Sequence, residues 1–439
     1  MQIKKLLITY SLLLIPFSFV FSQAWAPVGV GTNGNITALD SVNGLLYAGG
    51  TFTYAGGISA GNIASWNGTT WASLGTGING GGVLGLTGYH DSLYAGGQFT
   101  VAGGKTVSNV AEWNGTSWSA LGAGVNATVH VLEVYNGNLY AGGQFTLAGG
   151  SPASYIAMWN GTAWSALGKG VNGFVNAMTV YNGNLYVGGT FDSAGGVLAN
   201  HIAMWNGSTW SAVGSGTNKS VASFTIYNGD LCVGGSFTTA GGGSANYIAL
   251  WNGTSWSGVG IGMTRYVPAL AVYGGNLYAG GGFDTAGGIQ VNYIAQWNGS
   301  IWSEMGQGMS SYGYVYALAD YSGNLYAGGD FDSAGGQIAN YIAQWNGVAG
   351  INELTDNADI KVYPNPSNGV FTIQSSANSL QSIVEVYNVL GEKVFSSQPK
   401  TPKGALNKVD ISTNPGGVYL YRILTESGNC IASGKLVKE

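Results

Sequence analysis

The chain has 439 residues, of which 76 are glycine, and only 8% carry a charge. Aromatic residues reach 12%, with 14 Trp and 26 Tyr, and that much apolar surface excludes a disordered chain. From Ala24 to Gly350 four bases, Lys105, Lys169, Lys219 and Arg265, stand against eleven acids, which leaves no basic stripe for nucleic acid and no polybasic patch for a membrane surface.

Lys4 and Lys5 precede an apolar run from Leu6 to Phe21, followed by the small or polar Ser22, Gln23 and Ala24. A charged start, an apolar middle and a cleavable end are the parts of a signal peptide, expected over residues 1–22. Pro16 within the run argues against a retained anchor. No later segment has the ~20 apolar residues of a membrane span, so no stable span is expected. The two cysteines, Cys232 and Cys430, fall in different expected domains, so no disulfide framework is expected.

Trp-Asn-Gly recurs at Trp66, Trp113, Trp159, Trp205, Trp251, Trp297 and Trp345, with spacings of 46 to 48 residues. A second Trp follows five residues later at Trp71, Trp118, Trp164, Trp210, Trp256 and Trp302. Trp345 lacks that follower, and Trp25 at the other end supplies it, so one repeat is divided between the termini. One unit reads as four strands, Val129 to Tyr135, Leu139 to Phe145, Tyr155 to Asn160 and Trp164 to Leu167. Asn136-Gly137 makes a tight hairpin turn, because both residues tolerate positive φ. Four short strands per repeat indicate an all-β propeller blade. The expectation is a seven-bladed β-propeller over 24–350, closed by the N-terminal strand at Trp25, which removes exposed edges. The wording Leu139-Tyr140-Ala141-Gly142-Gly143-Gln144-Phe145 followed by Ile156-Ala157-Met158-Trp159-Asn160-Gly161 resembles kelch-type propellers, and more closely the repeats of fungal cortical polarity-marker proteins. The resemblance implies a fold and no particular activity.

The repeat pattern stops after Gly350. Residues 351–359 read as a polar linker. Short strands are expected at Ile360–Tyr363, Val370–Ile373, Ile383–Tyr387, Lys393–Phe395 and Val418–Leu424, a small Ig-like β-sandwich over 360–439. Val362-Tyr363-Pro364-Asn365-Pro366, Val386-Tyr387-Asn388-Val389-Leu390-Gly391-Glu392-Lys393-Val394, Gly416-Gly417-Val418-Tyr419-Leu420-Tyr421-Arg422 and Gly434-Lys435-Leu436-Val437-Lys438 resemble the type A sorting domain of the type IX secretion system. That resemblance implies the type IX secretion machinery as a partner and passage of the outer membrane. It also implies removal of the tail, then release or surface attachment.

Catalytic and metal chemistry find little footing, so no catalytic residue, metal site or cofactor is expected. His90, His130 and His201 sit in different repeats and read as structural. A copper-radical site needs Tyr, His and Cys together, which these residues do not supply. Asp192, Asp284 and Asp332 share a repeat position with Thr53, Thr100, Thr146 and Thr238; both residue types bond nearby backbone amides in turns, so the position reads as structural. Asn-Gly-Thr/Ser at Asn67, Asn114, Asn160, Asn206, Asn252 and Asn298 reads as a turn before it reads as a glycosylation sequon. Asp192-Ser193-Ala194, Asp284-Thr285-Ala286 and Asp332-Ser333-Ala334 resemble an O-glycosylation acceptor motif of bacteria with this secretion type, which makes Ser193, Thr285 and Ser333 candidate acceptors.

Long links of every unit should emerge on one face, and function usually lies on loops held by a rigid scaffold. The links between blades are the ones that do not repeat. They carry Lys169, Phe174, Lys219, Arg265, Tyr266, Tyr312 and Tyr314, the candidate ligand-binding set. Aromatic faces stack on sugar rings and Arg pairs with carboxylates. The expected function is that of a secreted or cell-surface binding and adhesion module for an extracellular glycan or protein, not an enzyme; a secreted polysaccharide lyase or hydrolase is the alternative.

Overall fold

The computed structural model describes residues 24–310, 313–346, 360–375, 382–388, 392–397, 406–425 and 430–439. The expected signal peptide (1–22), the linker (351–359) and Tyr312 lie outside them. Among the described residues all regular structure is β, without a helix. The chain divides into two compact units at Val348/Ala349.

In the first unit the described residues form seven four-stranded antiparallel sheets, consistent with propeller-like blades. The third repeat is typical, with strands Val129–Tyr135, Asn138–Gly143, Ile156–Trp159 and Trp164–Ala166. Its first turn holds Asn136 at φ 48° and Gly137 at φ 71°, the conformation that makes Asn-Gly the preferred pair. The third-to-fourth turn closes on Asn160, whose Oδ1 accepts from the backbone of Thr162 and Ala163 and from the Thr162 hydroxyl. The Asn67, Asn114, Asn206 and Asn252 side chains close their turns in the same way. The link between second and third strands, expected as a loop, contains a further hairpin of two-residue strands, Leu147–Ala148 and Ser151–Pro152.

The divided repeat is completed across the termini. Ala24–Pro27 pairs antiparallel with Ile342–Asn346, placing Trp25 opposite Trp345. Each fourth-strand Trp donates its indole N–H to a carbonyl of the preceding sheet: Trp118 to Leu74 at 2.8 Å, Trp164 to Leu121 at 2.8 Å, Trp210 to Leu167 at 3.0 Å. The series continues with Trp256 to Val213, Trp302 to Val259 and Trp25 to Met305. Trp71 of the first repeat bonds to Val28, which follows the N-terminal strand. Within each sheet the two Trp rings tilt together, with centroids 5.1–5.4 Å apart.

The Gly-Gly pairs have a steric cause. A Cβ on Gly142 would lie 2.4 Å from Val175 Cγ1 of the next unit, and one on Gly328 would lie 2.5 Å from Ile36 Cγ2 of the first. Bare backbone at this position lets a Val or Ile of the neighbouring first strand pack directly on the sheet.

The second unit has a three-stranded sheet of Ile360–Tyr363, Val370–Ser375 and Leu406–Asp410, and a four-stranded sheet of Lys393–Ser396, Ser382–Tyr387, Gly417–Thr425 and Cys430–Lys438. Phe371, Val384, Val386, Val409 and Leu436 are fully buried between them. The strands at 406–410 and 430–438 escape the sequence reading, because Leu-Asn-Lys-Val-Asp and a run containing Ser433-Gly434-Lys435 have little β-branched patterning. Glu385, nearly covered, accepts from Lys393 Nζ at 2.6 Å, Arg422 Nε at 2.7 Å and the Tyr387 hydroxyl at 2.6 Å. Lys393, then Tyr387 and Arg422, hold its carboxyl down to about 2. Asn365 receives the last strand: its amide donates to the Lys435 carbonyl, and its Oδ1 accepts from the Val437 N–H, each at 2.8 Å.

Candidate functional site

The candidate site lies where the first strands begin. In six repeats the pairing of first and second strands slips by one residue near the start, leaving Thr37, Leu84, His130, Asn176, Ala222 and Tyr316 without a partner. The sixth unit carries Pro268 there, just before its first strand at Ala269, which suits a residue whose N–H is not needed by the ladder. Such a bulge bends the strand and re-aims the extra side chain. A cavity of about 260 Å³ is lined by these residues and the two that follow each of them, three from each of the seven units.

The residue two places before each bulged one forms the outer rim. Phe174, Tyr266 and Tyr314 occupy this position in the fourth, sixth and seventh units, and remain 42%, 37% and 37% exposed. Phe174 stands edge-on to His130, with centroids 6.5 Å apart, and 5.9 Å from the Tyr155 ring. Tyr314 lies parallel to Tyr316 at 5.8 Å. Burial pushes the Tyr266 and Tyr316 phenols up, with Asp330 adding to the effect at Tyr316.

His130 is held by two amides. Its Nε2 is 3.1 Å from Gln144 Nε2 and its Nδ1 is 3.1 Å from Asn176 Oδ1. Those partners assign the tautomer: Gln144 donates to Nε2, and Nδ1–H donates to Asn176. Burial lowers the imidazole pKa, so the ring is neutral at pH 7. Asn176 and Tyr316 escape the sequence reading, and His130 is taken there as structural, because a bulge interrupts the alternation that marks inward positions. Pro268, one residue before a strand, is the signal that was available.

Structure separates the members of the sequence-derived set. Lys219 and Arg265, both exposed, directly precede rim positions. Lys169 instead occupies the Gly168-Lys169-Gly170 turn, where its Nζ reaches the hairpin tip at Gly196. Asp192 and Asp284 bond to side chains of the preceding link, Asn172 and Thr264. Asn172 Oδ1 accepts from the backbone N–H groups of Asp192 and Ser193, and its amide donates to Asp192 Oδ1 at 2.6 Å. The carboxylate therefore clamps one unit's link to the next unit's hairpin through a side chain, as Thr146 does with Asn126. Ser193, Thr285 and Ser333 begin these hairpins half-buried.

Farther along the first strands, burial pushes the Glu133 carboxyl up to about 7, with the Val134 N–H opposing and Asp40 adding to the rise. A carboxyl raised on folding costs stability above its folded pKa, and that cost vanishes below its unfolded pKa. Glu133→Gln is therefore expected to raise Tm at pH 8 and to leave it unchanged at pH 4, read by thermal melts at both values. Among the described residues no three or more His, Cys, Asp or Glu come together to hold a metal ion, and no helix is long and apolar enough to cross a membrane.

Residues 361–439 match the family described as the secretion system C-terminal sorting domain. The C-terminal unit, Ala349–Glu439, carries a type IX sorting domain. It directs the chain to the type IX machinery, and so to the cell surface or extracellular space. No curated protein matches the chain. One similar solved structure is PorZ, an essential bacterial surface component of the type IX secretion system of Porphyromonas gingivalis, at 15% identity and a TM-score of 0.38. That match covers 92% of this chain, which spans 66% of the PorZ chain. Another is a fungal alcohol oxidase of the AA5 family in complex with copper, at 10% identity and a TM-score of 0.41, covering 95% of this chain and 99% of that one.

Proposed function

We propose that the seven sheets are the blades of one closed, kelch-like propeller, and that the exported protein is a non-enzymatic binding module for an extracellular glycan or protein. The indole bonds that run through all seven sheets support closure. So does the Tyr321 hydroxyl, which donates across the divided repeat to the Gly44 carbonyl at 3.1 Å. The observation that carries the binding reading is the rim itself. Three half-exposed aromatic rings in equivalent positions stand along one arc beside a cavity to which all seven repeats contribute. Phe174 packs on Tyr155 and Tyr314 on Tyr316, yet each keeps more than a third of its surface open to solvent, the part available to a ligand.

The test is a panel of extracellular glycans and proteins probed with the full chain and with the combined Arg265→Ala, Tyr266→Ala and Tyr314→Ala variant. The variant is expected to lose binding while melting within about 3 °C of the parent, since half-exposed side chains contribute little to stability. Retained binding, or a collapse of Tm, would show that these residues pack rather than bind.

A further inference from the structure

We propose that the rim of the fourth to seventh units takes a neutral polysaccharide, stacked on Phe174, Tyr266 and Tyr314. This rests on the reading above that the rim is a binding site. Space is reserved for a ring at Gly282. Six units carry Thr51, Gln98, Gln144, Thr190, Ser236 or Asp330 just after the Gly-Gly pair, and the sixth unit alone carries Gly282. A Cβ there would lie 2.2 Å from Tyr314 Cε1. The backbone at Gly282 does not need glycine, because its φ is not in the left-handed region. What needs glycine is the Tyr314 ring beside it. Glycine there makes room for the Cε1 corner of Tyr314, and the ring, stacked on Tyr316, keeps 37% of its surface open to the C–H face of a sugar.

Charge along the rim favours a neutral polymer. Lys219 and Arg265 sit in this arc, but so do Asp192, Asp284, Asp330 and Asp332. The Asp284 carboxyl is held below the usual range, chiefly by the Thr264 hydroxyl and also by Arg265. The arc is therefore net negative, which repels a polyanion. An apolar protein loop would cover Arg265, Lys219 and Asp330 without giving them partners, a costly outcome. Sugar hydroxyls donate and accept, so they serve carboxylates, amides and guanidinium alike. Asn176 and the Gln144–His130 pair add neutral polar groups beside Phe174.

The test is affinity electrophoresis of the full chain in gels containing neutral glucans, mannans and xylans, with polygalacturonate and chondroitin sulfate as acidic counterparts. Retardation by a neutral polymer is expected. It should change less than about twofold between roughly 50 and 500 mM salt, because no counterions are released. Tyr314→Ala is expected to weaken it at least about tenfold. Gly282→Ser, which keeps every aromatic ring but displaces Tyr314, should weaken it too while Tm is held. Retardation only by the acidic polymers, or by none, overturns the assignment. So does undiminished retardation of a folded Gly282→Ser variant. Loss of binding to a protein ligand in the combined variant would overturn the assignment to glycan and leave the binding-module reading standing.

Discussion

Removing residues 24–31 is expected to lower Tm by roughly 10 °C or more and to drive the protein into oligomers. Trp25 is 3% exposed, packs on Trp345 with centroids 5.1 Å apart, and bonds to the Met305 carbonyl. Losing a buried Trp costs about 3–5 kcal/mol by itself. The deletion also takes Val28, which is fully buried and whose carbonyl receives the Trp71 indole N–H. It strips the partner from Ile342–Asn346, and an unpaired edge strand invites pairing with another chain. The single change Trp25→Ala should give about half of the effect with less association. Differential scanning fluorimetry with size-exclusion chromatography reads both. A deletion variant that stays monomeric with unchanged melting would contradict closure through the N-terminal strand.

The second large effect concerns delivery. A chain ending at Asn346 is expected to fold and to melt as the first unit does in the full protein, because the two units have separate cores. In a native host it should accumulate in the periplasm and be absent from the surface and the medium. Residues 361–439 are the sorting domain, and its last strand is held by Asn365. Asn365→Ala in the full chain should therefore reduce export while leaving the melting of the first unit untouched. Fractionation with immunodetection distinguishes the cases, and normal surface delivery of the truncated chain would rule out the sorting role.

The all-β architecture was legible because its punctuation is local. Asn-Gly turns need positive φ, and the paired Trp residues repeat at constant spacing, so each unit can be read without knowing its neighbours. The divided repeat was legible for the same reason, since Trp25 matches Trp210 and its equivalents in local wording. Interactions between units were not. Asp192 looks like a turn residue in isolation, and only the fold shows that Asn172 of the preceding link clamps it. The rim divided in the same way. Phe174, Tyr266 and Tyr314 stood out because they break a repeat of small and polar residues. Asn176 and Tyr316 did not, and His130 was read as structural, because a bulge places them and the sequence marks it only at Pro268. Lys169 shares the links with the rest of the set, yet its position within the link takes it to the hairpin at Gly196.

The central claim, that ligand binds at the start of the first strands, is tested most directly by amide hydrogen exchange on the full chain with and without the tightest binder from the panel. Protection is expected in the peptides covering 172–176, 218–221, 264–268 and 313–316, with the Asn-Gly turns at 136–137 and 182–183 unchanged. Protection confined to those turns, or to the Gly-x-Gly turns such as 168–170, would contradict it.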